Sequence, residues 1–155
     1  MDFNLNDIFQ LAGTIWQATL GLTIEPEQPD AIGSCGRATV ACVQITGAWN
    51  GAVFLSCPAD FARRAASIMF NVAPASITVS ELQDAIAELV NIVGGNVKGL
   101  LPDGCHLSLP QVVEGADYSA RVPGSRMIGR VAFRCDSHAV SICILEKVET
   151  KTVAA

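Results

Sequence analysis

From Ile77 to Leu101 the chain carries one apolar stripe: Leu82, Ile86, Leu89, Val93, Val97 and Leu100 recur at steps of three and four. Only an α-helix brings such positions onto one side, and a stripe of that length must be buried against another layer. The opposite side carries Glu81, Asp84, Glu88, Asn91, Gly95 and Lys98. Thr78-Val79-Ser80-Glu81 has the form of a capping box, and Ser80 to Gln83 offers the same pattern two residues on. Pro102-Asp103-Gly104 stops the helix.

The layer that covers this helix is read from the rest of the chain. Asn4 to Leu20 has a helical period in Ile8, Leu11, Ile15 and Leu20, with Asn4, Asn6 or Asp7 as caps and Gly21 as the stop. Glu25 to Gly36, with two prolines and two glycines, reads as a loop. Arg37 to Thr46 is rich in Val, Thr, Ile and Cys and reads as a strand; Gly47 to Gly51 supplies a turn with an Asn-Gly step, and Ala52 to Ser56 returns. Pro58 opens a helix at a first-turn position, with Phe61, Ala65, Ile68 and Met69 as its apolar side and Asn71 to Ala75 as its end.

After the long helix the pattern turns to strands: His106–Val113, Tyr118–Val122, Met127–Cys135 and Ala139–Val148, separated by turn residues. The expected order is α-β-β-α-α-β-β-β with a possible fourth late strand, an α+β domain whose helices pack on a mostly antiparallel sheet. One domain over residues 1–148 accounts for the chain, with 149–155 as a frayed tail.

Charge and composition narrow the function. Half of the 155 residues are apolar, 16% are charged and the net charge is −5. With no basic stripe, nucleic acid is not an expected partner, and an acidic surface argues against anionic membranes. No apolar run approaches a membrane span, and Met1-Asp2-Phe3-Asn4 lacks the basic start of a secretory signal, so the cytoplasm is the expected location. The six cysteines (Cys35, Cys42, Cys57, Cys105, Cys135 and Cys143) include no Cys-x-x-Cys pair and read as reduced core thiols. Cys105 beside His106 is the only hint of a metal or redox site, without the paired spacing such a site needs.

Glu88 and Asn91 stand out as chemistry. Three apart on a helix, they present a carboxylate and a carboxamide on one face, away from the apolar stripe. Such a pair alone is also what a solvated helix face supplies. Gly94 and Gly95 follow in the helix interior, where each glycine costs about 1 kcal/mol relative to alanine. Close approach of a partner surface or of a neighbouring element would compensate.

The stretch Asp84-Ala-Ile-Ala-Glu88-Leu-Val-Asn91-Ile-Val-Gly94-Gly95-Asn-Val-Lys98-Gly-Leu-Leu101 resembles the signature helix of the CheC/CheX/FliY phosphatases of bacterial chemotaxis, most closely the single-site CheX branch. The resemblance runs from about Asp7 to Lys147 and includes the Ile45-Thr46-Gly47 hairpin, the Pro58 helix and Leu109-Pro110-Gln111-Val112-Val113-Glu114-Gly115. It implies a CheC-like fold and removal of phosphate from the aspartate of a CheY-type receiver. It implies that Glu88 pairs with a receiver lysine and that Asn91 orients the attacking water. It further implies that Mg²⁺ belongs to the receiver, so this chain needs no cofactor of its own. Asp84, Gly94, Gly95 and Lys98 are the weaker candidates for partner contact.

Two-site members carry the motif twice. Here the first helix offers only Asp7-Ile8-Phe9-Gln10, an acid and an amide at the same spacing, read as a first-turn feature. The apolar last strand, Ala139 to Leu145, reads as an exposed edge, and the resemblance implies a homodimer whose sheet continues across it. Trp49 is either a partner anchor or a cover over the sheet edge, Arg63-Arg64 faces solvent, and Asn96 serves packing or a supporting hydrogen bond. A receiver-docking module without hydrolysis is the competing function, since the same fold also serves in flagellar assembly.

Overall fold

Helix ends are set by residue types that satisfy the free backbone groups. A computed structural model of the protein describes residues 3–27, 38–114 and 124–148. Helix α1 spans Leu5–Leu20; Oδ1 of Asn4 accepts the Asn6 N–H at 2.9 Å, and Gly21 ends the helix in the left-handed region at φ 67°. Helix α2 spans Ala59–Phe70 and ends on a left-handed Asn71. Pro58 is its N-cap and not a first-turn residue. Helix α3 spans Val79–Lys98 and uses the first of the two candidate boxes: the Glu81 N–H donates to Thr78 Oγ1 at 3.1 Å while the Thr78 N–H donates to Glu81 Oε1 at 3.0 Å.

The described strands are β1 (Glu25–Pro26), β2 (Ala38–Gly47), β3 (Gly51–Pro58), β4 (Cys105–Leu107), β5 (Gln111–Glu114), β6 (Ser125–Cys135) and β7 (His138–Lys147). They form one sheet in the order β1-β6-β7-β3-β2-β4, with β5 also on β2, and every pairing is antiparallel. Strand residues alternate between a face under the three helices and a face away from them. The expected α+β arrangement of helices on a mostly antiparallel sheet is thus observed. Ile8, Trp16, Phe61, Ile86, Leu89, Val43, Val53 and Phe133 meet in the core between helices and sheet. Trp16 stacks on Phe61 at 6.2 Å and meets the edge of Phe133 at 5.1 Å, contacts worth about 0.5–1.5 kcal/mol each beyond area burial.

Four further expectations change. β1 lies inside the stretch read as a loop; it is two residues long, too short to leave a period. The single strand expected over His106–Val113 is two strands, β4 and β5, with a break at Ser108–Pro110. The α3 stripe holds through Val97, but the helix ends at Lys98 and Leu100 falls in the following turn, 49% exposed. The largest correction concerns β7. It is not an edge: it pairs with β6 on one side and β3 on the other, so no flank is left for a second copy of the chain. Its apolar run is the signature of a strand buried on both faces. Tyr118–Val122, Cys35 and the 149–155 tail lie outside the described residues.

Candidate functional site

Helix α3 packs on β2 and also touches β3, β4 and β5, and α1 and α2 pack against it. Its approach to the sheet is set by Gly94. A Cβ at that position would sit 2.4 Å from Val43 Cγ2 and 3.2 Å from Leu107 Cδ1. Gly94 therefore faces the protein's own sheet and is not part of a partner face, which corrects its place among the candidate contact residues. Gly95 is different: it is exposed, and a Cβ there would meet nothing within 4 Å. Nothing in the described fold asks for a glycine at 95.

The N-terminal end of α3 is held by Arg63. Its Nη1 donates to the carbonyls of Pro74 at 3.0 Å and Ile77 at 3.1 Å, tying α2 to the turn that leads into the Thr78 cap. Arg63 is thus a positioning residue and not the solvated one expected. Arg64 is exposed and pairs with Asp136 at 2.9 Å.

Glu88 and Asn91 project from the middle of the anchored helix, with Asp84, Gly95 and Lys98 on the same stripe. Three residues apart, their Cβ atoms lie about 5–6 Å from each other. Asn91 is half-buried while Asp84, Glu88 and Lys98 are exposed. Among the described residues no hydrogen bond or ion pair engages the side chains of these four. By contrast Asn96, off the stripe, donates Nδ2 to the Ile92 carbonyl at 2.8 Å and serves its own helix. The stripe thus presents a carboxylate, an amide and an ammonium with their hydrogen-bonding capacity free.

The other candidates are structural. Trp49 is buried; its Nε1 donates to Glu146 Oε2 at 3.0 Å and its ring meets Phe3 edge-on at 6.0 Å, which decides for a cover over the sheet. That indole bond, aided by Arg126, holds the Glu146 carboxyl below the usual range despite partial burial. Burial pushes the Cys57 thiol up to about 12 and the Cys135 thiol, with the Asp136 charge adding, to about 11. Thiols held that far from ionisation are inert core groups. Cys105 Sγ contacts the Pro102 carbonyl at 3.4 Å, and His106 is exposed. Among the described residues no three His, Cys, Asp or Glu side chains are grouped so as to hold a metal ion. No helix among them is long and apolar enough to cross a membrane.

A family model described as "Chemotaxis phosphatase CheX" matches residues 39–134, a span from the second residue of β2 to the last but one of β6 that includes the whole α3 stripe. The chain belongs to the CheX family. Solved structures share its fold. The chemotaxis protein CheX from Vibrio vulnificus superposes with a TM-score of 0.73 at 19% identity, covering 92% of this chain and 95% of that one. CheX of Borrelia burgdorferi, crystallised in a complex with CheY, BeF₃ and Mg²⁺, gives 0.67 at 16% identity over 93% and 99%. Thermotoga maritima FliY gives 0.55 at 14% identity over 94% and 92%. No curated protein matches the chain. Sequence reasoning missed Arg63 as an α3 anchor and the break at Ser108–Pro110 between β4 and β5; Pro110 inside an expected strand was the available signal for the second.

Proposed function

We propose that this CheX-family chain hydrolyses the phospho-aspartate of a CheY-type receiver domain in the cytoplasm. The observation that carries the reading is the free carboxylate–amide pair of Glu88 and Asn91 at the centre of α3, on a helix fixed by its capping box and Arg63. The CheX–CheY complex of Borrelia burgdorferi supports a receiver as the partner.

Glu88 pairs with a receiver lysine and sets the register of docking. Asn91 then reaches the phosphorylated aspartate. Its amide accepts from and donates to one water and holds it in line with the P–O bond. The water oxygen bonds to phosphorus as the bond to the aspartate breaks, leaving inorganic phosphate and free carboxylate. Phosphoryl transfer asks for positioning and charge neutralisation more than for covalent help. An amide suits the inserted position, because a carboxylate there would be repelled by the phosphoryl oxygens. Mg²⁺ held by the receiver supplies the neutralising charge. Asp84 and Lys98 border the contact, and Gly95 lets the receiver backbone come close to the helix.

The test is phosphate release from a Mg²⁺-loaded, phosphorylated receiver of the same organism. Acceleration by the parent protein that disappears in a folded Asn91→Ala variant is the expected result. Binding without acceleration would replace the phosphatase by a docking module.

A further inference from the structure

The edge beside α3 carries a defect that its pairing makes explicit. Ile45 pairs with Leu107 and Cys42 with Gln111, so Val43 and Gln44 of β2 face Ser108, Leu109 and Pro110. Ser108 matches Gln44: its N–H donates to the Gln44 carbonyl at 2.9 Å and its Oγ accepts the Gln44 N–H at 2.9 Å. Leu109 and Pro110 are thus both left opposite Val43, a β-bulge of one extra residue. Val43 is also the residue whose side chain fills the space over Gly94. The bulge therefore lies level with Gly94, one helical turn beyond Asn91. Gly94 is three residues from Asn91 and four from Lys98 on the helix, so the bulge borders the polar stripe.

Leu109 is 86% exposed, the most exposed of the large apolar side chains described; the next, Val79, is 63% exposed. A single exposed leucine is ordinary on a protein surface. This one stands on a bulge level with Gly94, and the next helix residue, Gly95, leaves open space. Pro110 carries no N–H, and with the bulge it denies this part of the edge to an added strand. Side-chain docking is what the edge still offers.

Resting on the reading that a receiver docks on α3, we propose that Leu109 is a second contact for that receiver. It seats on an apolar patch next to the phosphorylated aspartate and selects receivers that have one. Asn91 and Glu88 address features any receiver shares, a phosphoryl group and a lysine. Leu109 addresses a surface that differs between receivers, so it sets specificity and takes no part in the chemistry.

The experiment uses the full chain and two readouts: affinity for a receiver loaded with Mg²⁺ and beryllofluoride, and steady-state phosphate release. Leu109→Ser is expected to raise Kd and KM about tenfold with kcat within about twofold, as loss of one apolar anchor does. Leu109→Met is expected to restore both, and Val79→Ser to change neither. Unchanged Kd and KM in Leu109→Ser would overturn the proposal, as would a change in oligomeric state at constant receiver affinity, which would give Leu109 to self-association. A parent that binds no receiver sinks the docking reading and this proposal together. A parent that binds without hydrolysing sinks only the phosphatase, and a weaker Kd in Leu109→Ser would still support the contact.

Discussion

Helices α1 and α3 each present an acid and an amide three residues apart, yet they differ in everything around the pair. Asp7 and Gln10 lie in the first two turns of α1, close to the Asn4 cap, and both are exposed. An acid there complements the positive end of the helix and is accounted for by local electrostatics. Glu88 and Asn91 lie mid-helix, where no cap or dipole asks for them. Asn91 is half-buried, a sheet-facing glycine follows at 94, an unexplained glycine at 95, and a bulged strand runs alongside. The spacing is common to both helices; the relief around it belongs to one.

That contrast can be broken by matched substitutions. The largest effect is expected for Asn91→Ala, a loss of about 100-fold or more in phosphate release, since positioning of the nucleophile is the main catalytic contribution. Gln10→Ala should stay within about twofold, and an equal loss there would erase the distinction between the helices. Next comes Glu88→Ala, expected to raise KM about tenfold through loss of a charge pair, while Asp7→Ala leaves kinetics alone and costs about 0.3–1 kcal/mol of stability in a denaturant titration. The two glycines sharpen the picture further. Gly94→Ala must force a methyl against Val43 and should destabilise by about 1–3 kcal/mol. Gly95→Ala should stabilise by about 0.5–1 kcal/mol, yet weaken receiver binding. A Gly95→Ala protein that binds as well as the parent would remove the case for close approach at that turn. Smallest is the pair of cap deletions: Thr78→Ala and Asn4→Ala should each cost about 1 kcal/mol by thermal unfolding. Only the first should also lower receiver affinity, because it loosens the helix that carries the site.

Much of this was legible because it is local. The α3 stripe, its capping box and the polar face are written at helical spacing, and Asn4 and Gly21 bracket α1 as their chemistry dictates. What escaped was set by partners distant in sequence. Gly94 and Gly95 look alike in a sequence, and only the position of Val43 separates them. Arg63 reads as a surface charge until the Pro74–Ile77 carbonyls come within reach. An apolar strand such as β7 fits an edge or a centre, and its two ladders decide. Trp49 in a turn has no period at all, and its burial follows from Glu146 and Phe3.

The central place of β7 also puts the protein on a clock. β3 leaves the ribosome as half of a finished hairpin with β2, but its other neighbour is paired through Gly51↔Glu146 and Ser56↔Ser141, some ninety residues later. At about 5–20 residues per second that flank stands bare for on the order of ten seconds during synthesis. Until the β6–β7 hairpin arrives and slots into the gap, Ala52, Phe54 and Leu55 line an open template for other nascent chains. Chaperone demand should therefore rise with translation pauses placed between α3 and β7.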